Sequence, residues 1–249
     1  MTRGSTLMIP AGGLVISIDE NGLPAMDVEE FRLASSTWID WLHIALERID
    51  DAKAARKALV AAVESGDEAA ENDALERELR TSLQVVTAAA SGLEGFYGLI
   101  EPHIEIGAEE RAARRRKRTG RAIWVADGIF RVARIPGGKR SVLRKNLIGT
   151  YKARNLAVHP EDAPRLPVVH PVLQQMVPSY LATFTWETSA GVIATCVEAI
   201  LWVLDRPRAN EGPIFELSES ASALVHELVD PRLTFRADGL LTPKTRPKP

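Results

Sequence analysis

Leu75-Glu-Arg-Glu-Leu-Arg-Thr-Ser-Leu-Gln-Val-Val86 puts an apolar residue at 75, 79, 83 and 86. A spacing of three and four is the period of one face of an α-helix. The stripe continues through Leu93, Phe96, Tyr97 and Ile100, so the pattern predicts a helix from about Asp67 to Ile104, with Pro102 and Gly107 marking its end. Small residues in its middle, Ala88-Ala-Ala-Ser-Gly92, allow a neighbouring helix to come close. Upstream, Phe31, Trp38, Trp41, Leu42, Ala45, Ile49 and Ala52 recur at the same spacing. Asp27, with Glu30 three residues later, has the form of a helix cap, and Glu64-Ser-Gly-Asp67 that of a break after Val63. Two long antiparallel helices make the scaffold of a bundle.

The rest of the chain adds to that scaffold. Helices are expected at about 121–135 (Ile123, Trp124, Ile129, Phe130, Val132) and 140–158, joined by the turn Pro136-Gly-Gly-Lys139. A further helix is expected from Phe184 to Leu204, and a short one at about 217–228. Gly13-Leu-Val-Ile-Ser-Ile18 and the turn Glu20-Asn-Gly22 predict a β-hairpin over about 14–26. Residues 160–178 hold five prolines and no helical period, the pattern of an ordered connection. The expected fold is therefore all-α, a helical bundle with a small N-terminal β-hairpin. Its parts are an arm at 1–26, a helical domain at 27–206, and a short helix with a flexible tail at 207–249.

Hydrophobic residues make up 45% of the chain, enough for a proper core. The single cysteine, Cys196, excludes a disulfide framework and a cysteine-based zinc site, and it reads as a small buried hydrophobe. His43, His103, His170 and His226 lack ligand spacing, so no metal and no cofactor are expected. Residues 1–10 lack the apolar core of a secretory leader, and the most apolar window, Ala190 to Leu204, is short for a bilayer and carries Glu198. The expectation is a cytoplasmic protein with no membrane partner.

Charge is distributed unevenly. Residues 1–110 hold 8 basic and 21 acidic side chains, residues 111–159 hold 15 and 1, and residues 160–249 hold 8 and 11. A 49-residue segment with Asp127 as its one acid suggests a polyanionic partner such as RNA, or else internal neutralisation of the acidic first third. The candidate nucleic-acid contacts are Arg114, Arg115, Arg116, Lys117, Arg118 and Arg121, followed by Arg144, Lys145 and Lys152.

Within this segment, Tyr151-Lys-Ala-Arg-Asn-Leu-Ala-Val-His-Pro160 sets Arg154, Asn155 and His159 at the end of an expected helix. Pro160 disfavours the α conformation at His159, so the helix should stop there. Asn155 and His159 are i,i+4 and share a face, while Arg154 lies about 100° away and must reach around. A guanidinium can hold a phosphate, and an imidazole can move a proton near neutral pH. A second copy of the spacing, Arg165 to His170, lies among prolines. Glu94, on the inward side of the second helix, is a candidate to face the motif.

Arg154-Asn-Leu-Ala-Val-His159, at a helix end after two long helices, resembles the HEPN family (higher eukaryotes and prokaryotes nucleotide-binding domains). Ala89-Ala-Ser-Gly-Leu-Glu-Gly-Phe-Tyr97 looks like the small-residue core helix of those proteins, and Val168-Val-His-Pro-Val172 like a feature of actinobacterial-type members. The resemblance spans roughly residues 28–206. It implies a homodimer in which two Arg-polar-x3-His motifs meet in one cleft. It also implies metal-independent endoribonuclease activity in toxin–antitoxin, phage-defence or RNA-processing systems, with an antitoxin or defence-complex protein as a further partner. On this resemblance Arg154 would bind the scissile phosphate, His159 would act as general acid or base, and Asn155 would orient one of them. Members silenced by nucleotidyl modification carry tyrosine two residues after the histidine, where this chain has Glu161. The alternative expectation is a non-catalytic module that binds nucleic acid or nucleotide, or scaffolds a defence complex.

Overall fold

The computed structural model describes residues 37–159 and 166–229 with their side chains, and the backbone of 5–8, 14–18, 24–28, 32–35, 233–235 and 241–243. The chain divides into two compact units, Met1–Thr37 and Trp38–Pro249.

The first unit is built of antiparallel pairs. Strand β1 (Ser5–Met8) pairs with β4 (Arg32–Ser35), and β2 (Leu14–Ile18) pairs with β3 (Pro24–Val28). The hairpin expected over 14–26 is thus present, but the helix expected from Asp27 begins only at Trp38. Asp27 lies in β3 opposite Val15, and the boundary falls at Thr37 rather than at residue 26. Five residues on each side of the turn are committed to the ladder, which leaves Asp27 extended and unable to cap a helix. Phe31, counted in the expected helix, lies outside the described residues.

In the second unit, α1 (Trp38–Ser65) and α2 (Glu68–Ile100) form a long antiparallel hairpin. The break between them is made by Gly66, at φ +71° in the left-handed region. There the Asp67 N–H reaches back to the Ala62 carbonyl at 3.1 Å. Asp67 then caps α2, its side chain accepting from the Ala70 N–H at 3.0 Å, a cap worth about 1 kcal/mol. Gly92 does what the small-residue run suggested: a Cβ there would stand 3.0 Å from the Leu42 side chain and 3.1 Å from the Trp38 carbonyl oxygen. Trp38 meets Phe96 edge-on with ring centroids 5.1 Å apart. Trp41, counted in the apolar stripe, is exposed.

A 3₁₀ turn (Glu101–His103) leads to α3 (Ala108–Arg116), α4 (Arg121–Val132) and α5 (Gly137–Val158). After residue 165 the connection forms a two-residue hairpin, β5 (Val168–Val169) with β6 (Met176–Val177). It is followed by the short α6 (Ser179–Thr183). Then α7 (Trp186–Asp205) passes through the interior against α1, α2, α4, α5 and α8 (Pro213–Val229). Among the described residues α7 is the one helix long and apolar enough to cross a membrane, and 78% of that window is buried inside the bundle. Ile193, Cys196, Val197 and Ile200 are fully enclosed, each large aliphatic contributing roughly 1.5–3 kcal/mol by burial. Of the expected tail, β7 (Leu233–Phe235) and β8 (Leu241–Pro243) are described, as an antiparallel pair.

Candidate functional site

Helix α5 starts at the Pro136 turn and keeps Leu143, Leu147, Thr150 and Tyr151 buried on one face. Arg154 follows Leu147 by seven residues and Thr150 by four, so it continues that face and is half-buried at its outer end. Its guanidinium does reach around the helix, Nη1 donating to the Asn155 Oδ1 at 3.2 Å. Asn155 and His159 are exposed. The helix ends at Val158, and His159 takes non-helical angles (φ −130°, ψ 76°) while its N–H donates to the Asn155 carbonyl at 2.8 Å. Asn155 therefore touches both partners, through its side chain to Arg154 and its main chain to His159. Arg154 forms no ion pair among the described residues. Glu161 lies outside them.

The basic segment separates into two sets. Arg114, Arg121 and Arg144, three of the candidate nucleic-acid contacts, are held by carboxylates. Arg114 bonds Glu110 at 2.6 Å and Asp127 at 3.0 Å, and stacks on the Trp124 ring at 5.0 Å. Arg144 bonds the other oxygen of Asp127. Arg121 lies 2.9 Å from Glu94 and 3.4 Å from Glu101, with its guanidinium 4.7 Å from the Tyr97 ring centre. Arg131 takes Glu110 at 2.7 Å. Part of the charge asymmetry is thus cancelled within the bundle. Arg115, Arg116, Lys117, Arg118, Lys145 and Lys152 are exposed and have no partner among the described residues. Arg111, Arg115 and the Trp124 indole, with Gly98, Glu101, Pro102 and Ile106, line a cleft of about 510 Å³ beside α3.

Glu94 faces Tyr151, one turn before Arg154, rather than the motif itself. Burial and the Glu94 carboxylate push the Tyr151 hydroxyl well above its ordinary range, although the hydroxyl makes no hydrogen bond of regular geometry. Burial, and then Glu101, raises Tyr97 to about 12. Cys196 is likewise pushed up by complete burial, which keeps it a neutral thiol.

No family model, no curated protein and no solved structure matches this chain.

A second polar cluster was invisible in the sequence. Arg56 on α1 is buried between Glu78 on α2 (3.0 Å) and Glu187 on α7 (2.5 Å). Glu78 also accepts the Trp186 N–H at 2.8 Å, which ties the start of α7 to α2. His170, the end of the second copy of the spacing, is fully buried, and its Nδ1 accepts the N–H groups of Val172 and Leu173 at 3.3 Å each. The Arg56 Nη1, Glu78 Oε2, His170 Nε2 and Trp186 Nε1 atoms are enclosed without partners. The Leu75–Leu79–Leu83 stripe is half-buried because Ala74, Glu78 and Ser82 occupy the centre of the seam. Only the partners' positions in space reveal this arrangement. Among the described residues no cluster of His, Cys, Asp and Glu could hold a metal.

Proposed function

We propose that this chain binds RNA and cleaves it without metal, as a HEPN-like homodimer, through the C-terminal end of α5. The observation that carries the reading is the Arg154–Asn155 bond beside an exposed His159. A neutral amide positions the guanidinium, so its charge is not spent on a carboxylate and is available to a phosphodiester. The 2′-hydroxyl of the substrate would attack the adjacent phosphorus and give its proton to a base as the P–O5′ bond breaks. The products are a 2′,3′-cyclic phosphate and a 5′-hydroxyl, the departing oxygen taking a proton from an acid. One His159 can serve as base or acid in a single turnover, and a second copy of the chain supplies the other. Arg154 would stabilise the charge that develops on the phosphoryl oxygens. The exposed cations Arg115, Arg116, Lys117, Arg118, Lys145 and Lys152 would supply salt-sensitive affinity. In the cell such an enzyme acts as a toxin or phage-defence effector restrained by a partner protein.

The test is incubation of the purified chain with a mixed RNA pool in EDTA, beside Arg154→Ala and His159→Ala. Cleavage by the wild type alone supports the reading. Equal cleavage by all three sinks it. If none cuts but RNA is retained at low salt, the protein is a binding module and the catalytic assignment is withdrawn.

A further inference from the structure

Arg134, Arg140 and Arg208 stand apart from the arginines described above. None of the three forms an ion pair among the described residues, yet together they line one open pocket of about 560 Å³ with Ile135 and Pro136. Each is fixed by a main-chain carbonyl instead of a carboxylate. The Nη2 of Arg134 donates to the Arg208 carbonyl and to the Asn210 Oδ1, both at 3.1 Å. The Nε of Arg140 donates to the Ile135 carbonyl at 3.0 Å, and that of Arg208 to the Ala133 carbonyl at 3.1 Å. Carbonyl bonds orient a guanidinium without cancelling its charge, and each side chain keeps N–H groups that these bonds do not use.

The backbone brings them together. Ala133 and Pro207 form an isolated antiparallel bridge, with Arg134 N–H on the Arg206 carbonyl and Arg208 N–H on the Val132 carbonyl, each 2.8 Å. Side chains alternate across such a bridge, so Arg134 and Arg208, flanking it, project to the same side. Arg140 comes from the first turn of α5 and lies over the Phe130 ring at 5.8 Å. That helix begins at Pro136 with no side-chain cap, so the positive end of its dipole adds to the field of the three arginines.

We propose that this pocket binds a compact phosphoanhydride, a diphosphate or triphosphate group that is free or carried on a small molecule. Three convergent cations match a multiply charged anion better than a single carboxylate. The planar fork of arginine fits phosphate oxygens in pairs. The volume falls in the range of small-molecule sites. The pocket is separate from the proposed catalytic end: Arg140 and Arg154 are on one helix, about 21 Å apart along its axis. Its occupancy does not depend on whether the chain cleaves RNA.

The test is calorimetric titration of the full chain at low salt with inorganic pyrophosphate, ATP, AMP and adenosine. Pyrophosphate and ATP should bind at one site, AMP at least tenfold more weakly, and adenosine not at all. Arg140→Gln and Arg208→Gln should each weaken pyrophosphate binding at least tenfold. Arg140→Lys should lose less, and Lys57→Gln, an exposed charge elsewhere, should change nothing. Circular dichroism checks that Arg208→Gln keeps the fold, and Arg140→Gln tests the pocket without touching the bridge. Absence of pyrophosphate binding, or an equal loss in Lys57→Gln, overturns the proposal. A 5′-triphosphorylated and a 5′-hydroxyl oligonucleotide distinguish the source. Equal competition by both would mean that the pocket reads a nucleic-acid backbone, which also overturns it.

Discussion

Asp127 lies 3.0 Å from Arg114 and binds Arg144 through its second carboxylate oxygen. It is the one acid between Arg111 and His159, and it joins α3, α4 and α5. Asp127→Asn should therefore destabilise the protein by about 1–3 kcal/mol, between the values for exposed and buried pairs. Arg114 retains Glu110, whereas Arg144 is left without a carboxylate. Urea unfolding checks this: the midpoint should fall at unchanged m-value. A shift within error would mean that the pair is screened by solvent.

Gly128 and Gly98 separate packing from helix propensity. A Cβ on Gly128 would stand 2.6 Å from the Tyr97 ring, which is fully buried, whereas one on Gly98 meets nothing within 4 Å. Gly128→Ala should cost about 1–3 kcal/mol by overpacking. Gly98→Ala, in the interior of α2, should be neutral or stabilise by up to about 1 kcal/mol. Thermal melts of the two variants decide the matter. Equal behaviour would mean that α4 can shift to make room.

Tyr97 implies a loss of stability in alkali. Its folded-state pKa of about 12 lies above the ordinary 10.0, raised first by burial and then by Glu101. Between those values the unfolded chain releases the proton while the native chain keeps it. Stability is therefore full below pH 10 and falls as pH climbs towards 12, by on the order of 2 kcal/mol for this group. Tyr151 shifts in the same direction. Denaturant titrations at pH 8, 10 and 11 should show the decline, and Tyr97→Phe should reduce it. An unchanged slope in that variant would move the effect to other groups.

Periodicity made the long helices legible because Leu42, Ala45, Ile49, Leu93, Phe96 and Ile100 face one core. It misplaced the start of α1, since the spacing of Asp27 and Glu30 satisfies a capping pattern although Asp27 itself lies in β3. The end of α5 could be read from Pro160 alone, and the reach of Arg154 to Asn155 from side-chain length. The fate of the basic run could not be read. Whether Arg121 is free depends on Glu94 and Glu101, 27 and 20 residues away, and no local pattern encodes that meeting. The pocket at Arg134, Arg140 and Arg208 was hidden for the same reason, because it joins the α4–α5 turn to the segment after α7.

His170 gives the opposite pH dependence. Burial, and then Arg56, lowers its pKa below the ordinary 6.5, while Glu187 opposes without prevailing. As pH falls below 6.5 the unfolded chain takes up a proton that the native chain resists. Stability is present above that value and is lost towards the folded pKa. Glu78, raised by burial, works in the other sense: its contribution is present in acid and lost as pH rises above 4.5. Protonation of His170 at Nδ1 would also remove the acceptor that holds the Val172 and Leu173 N–H groups. His170→Asn keeps an acceptor in the side chain and cannot titrate. It should therefore flatten the stability profile between pH 6.5 and 5 while remaining folded at pH 7.5. Urea midpoints across that range provide the check. A variant that retains the wild-type slope would assign the acid sensitivity to groups other than His170.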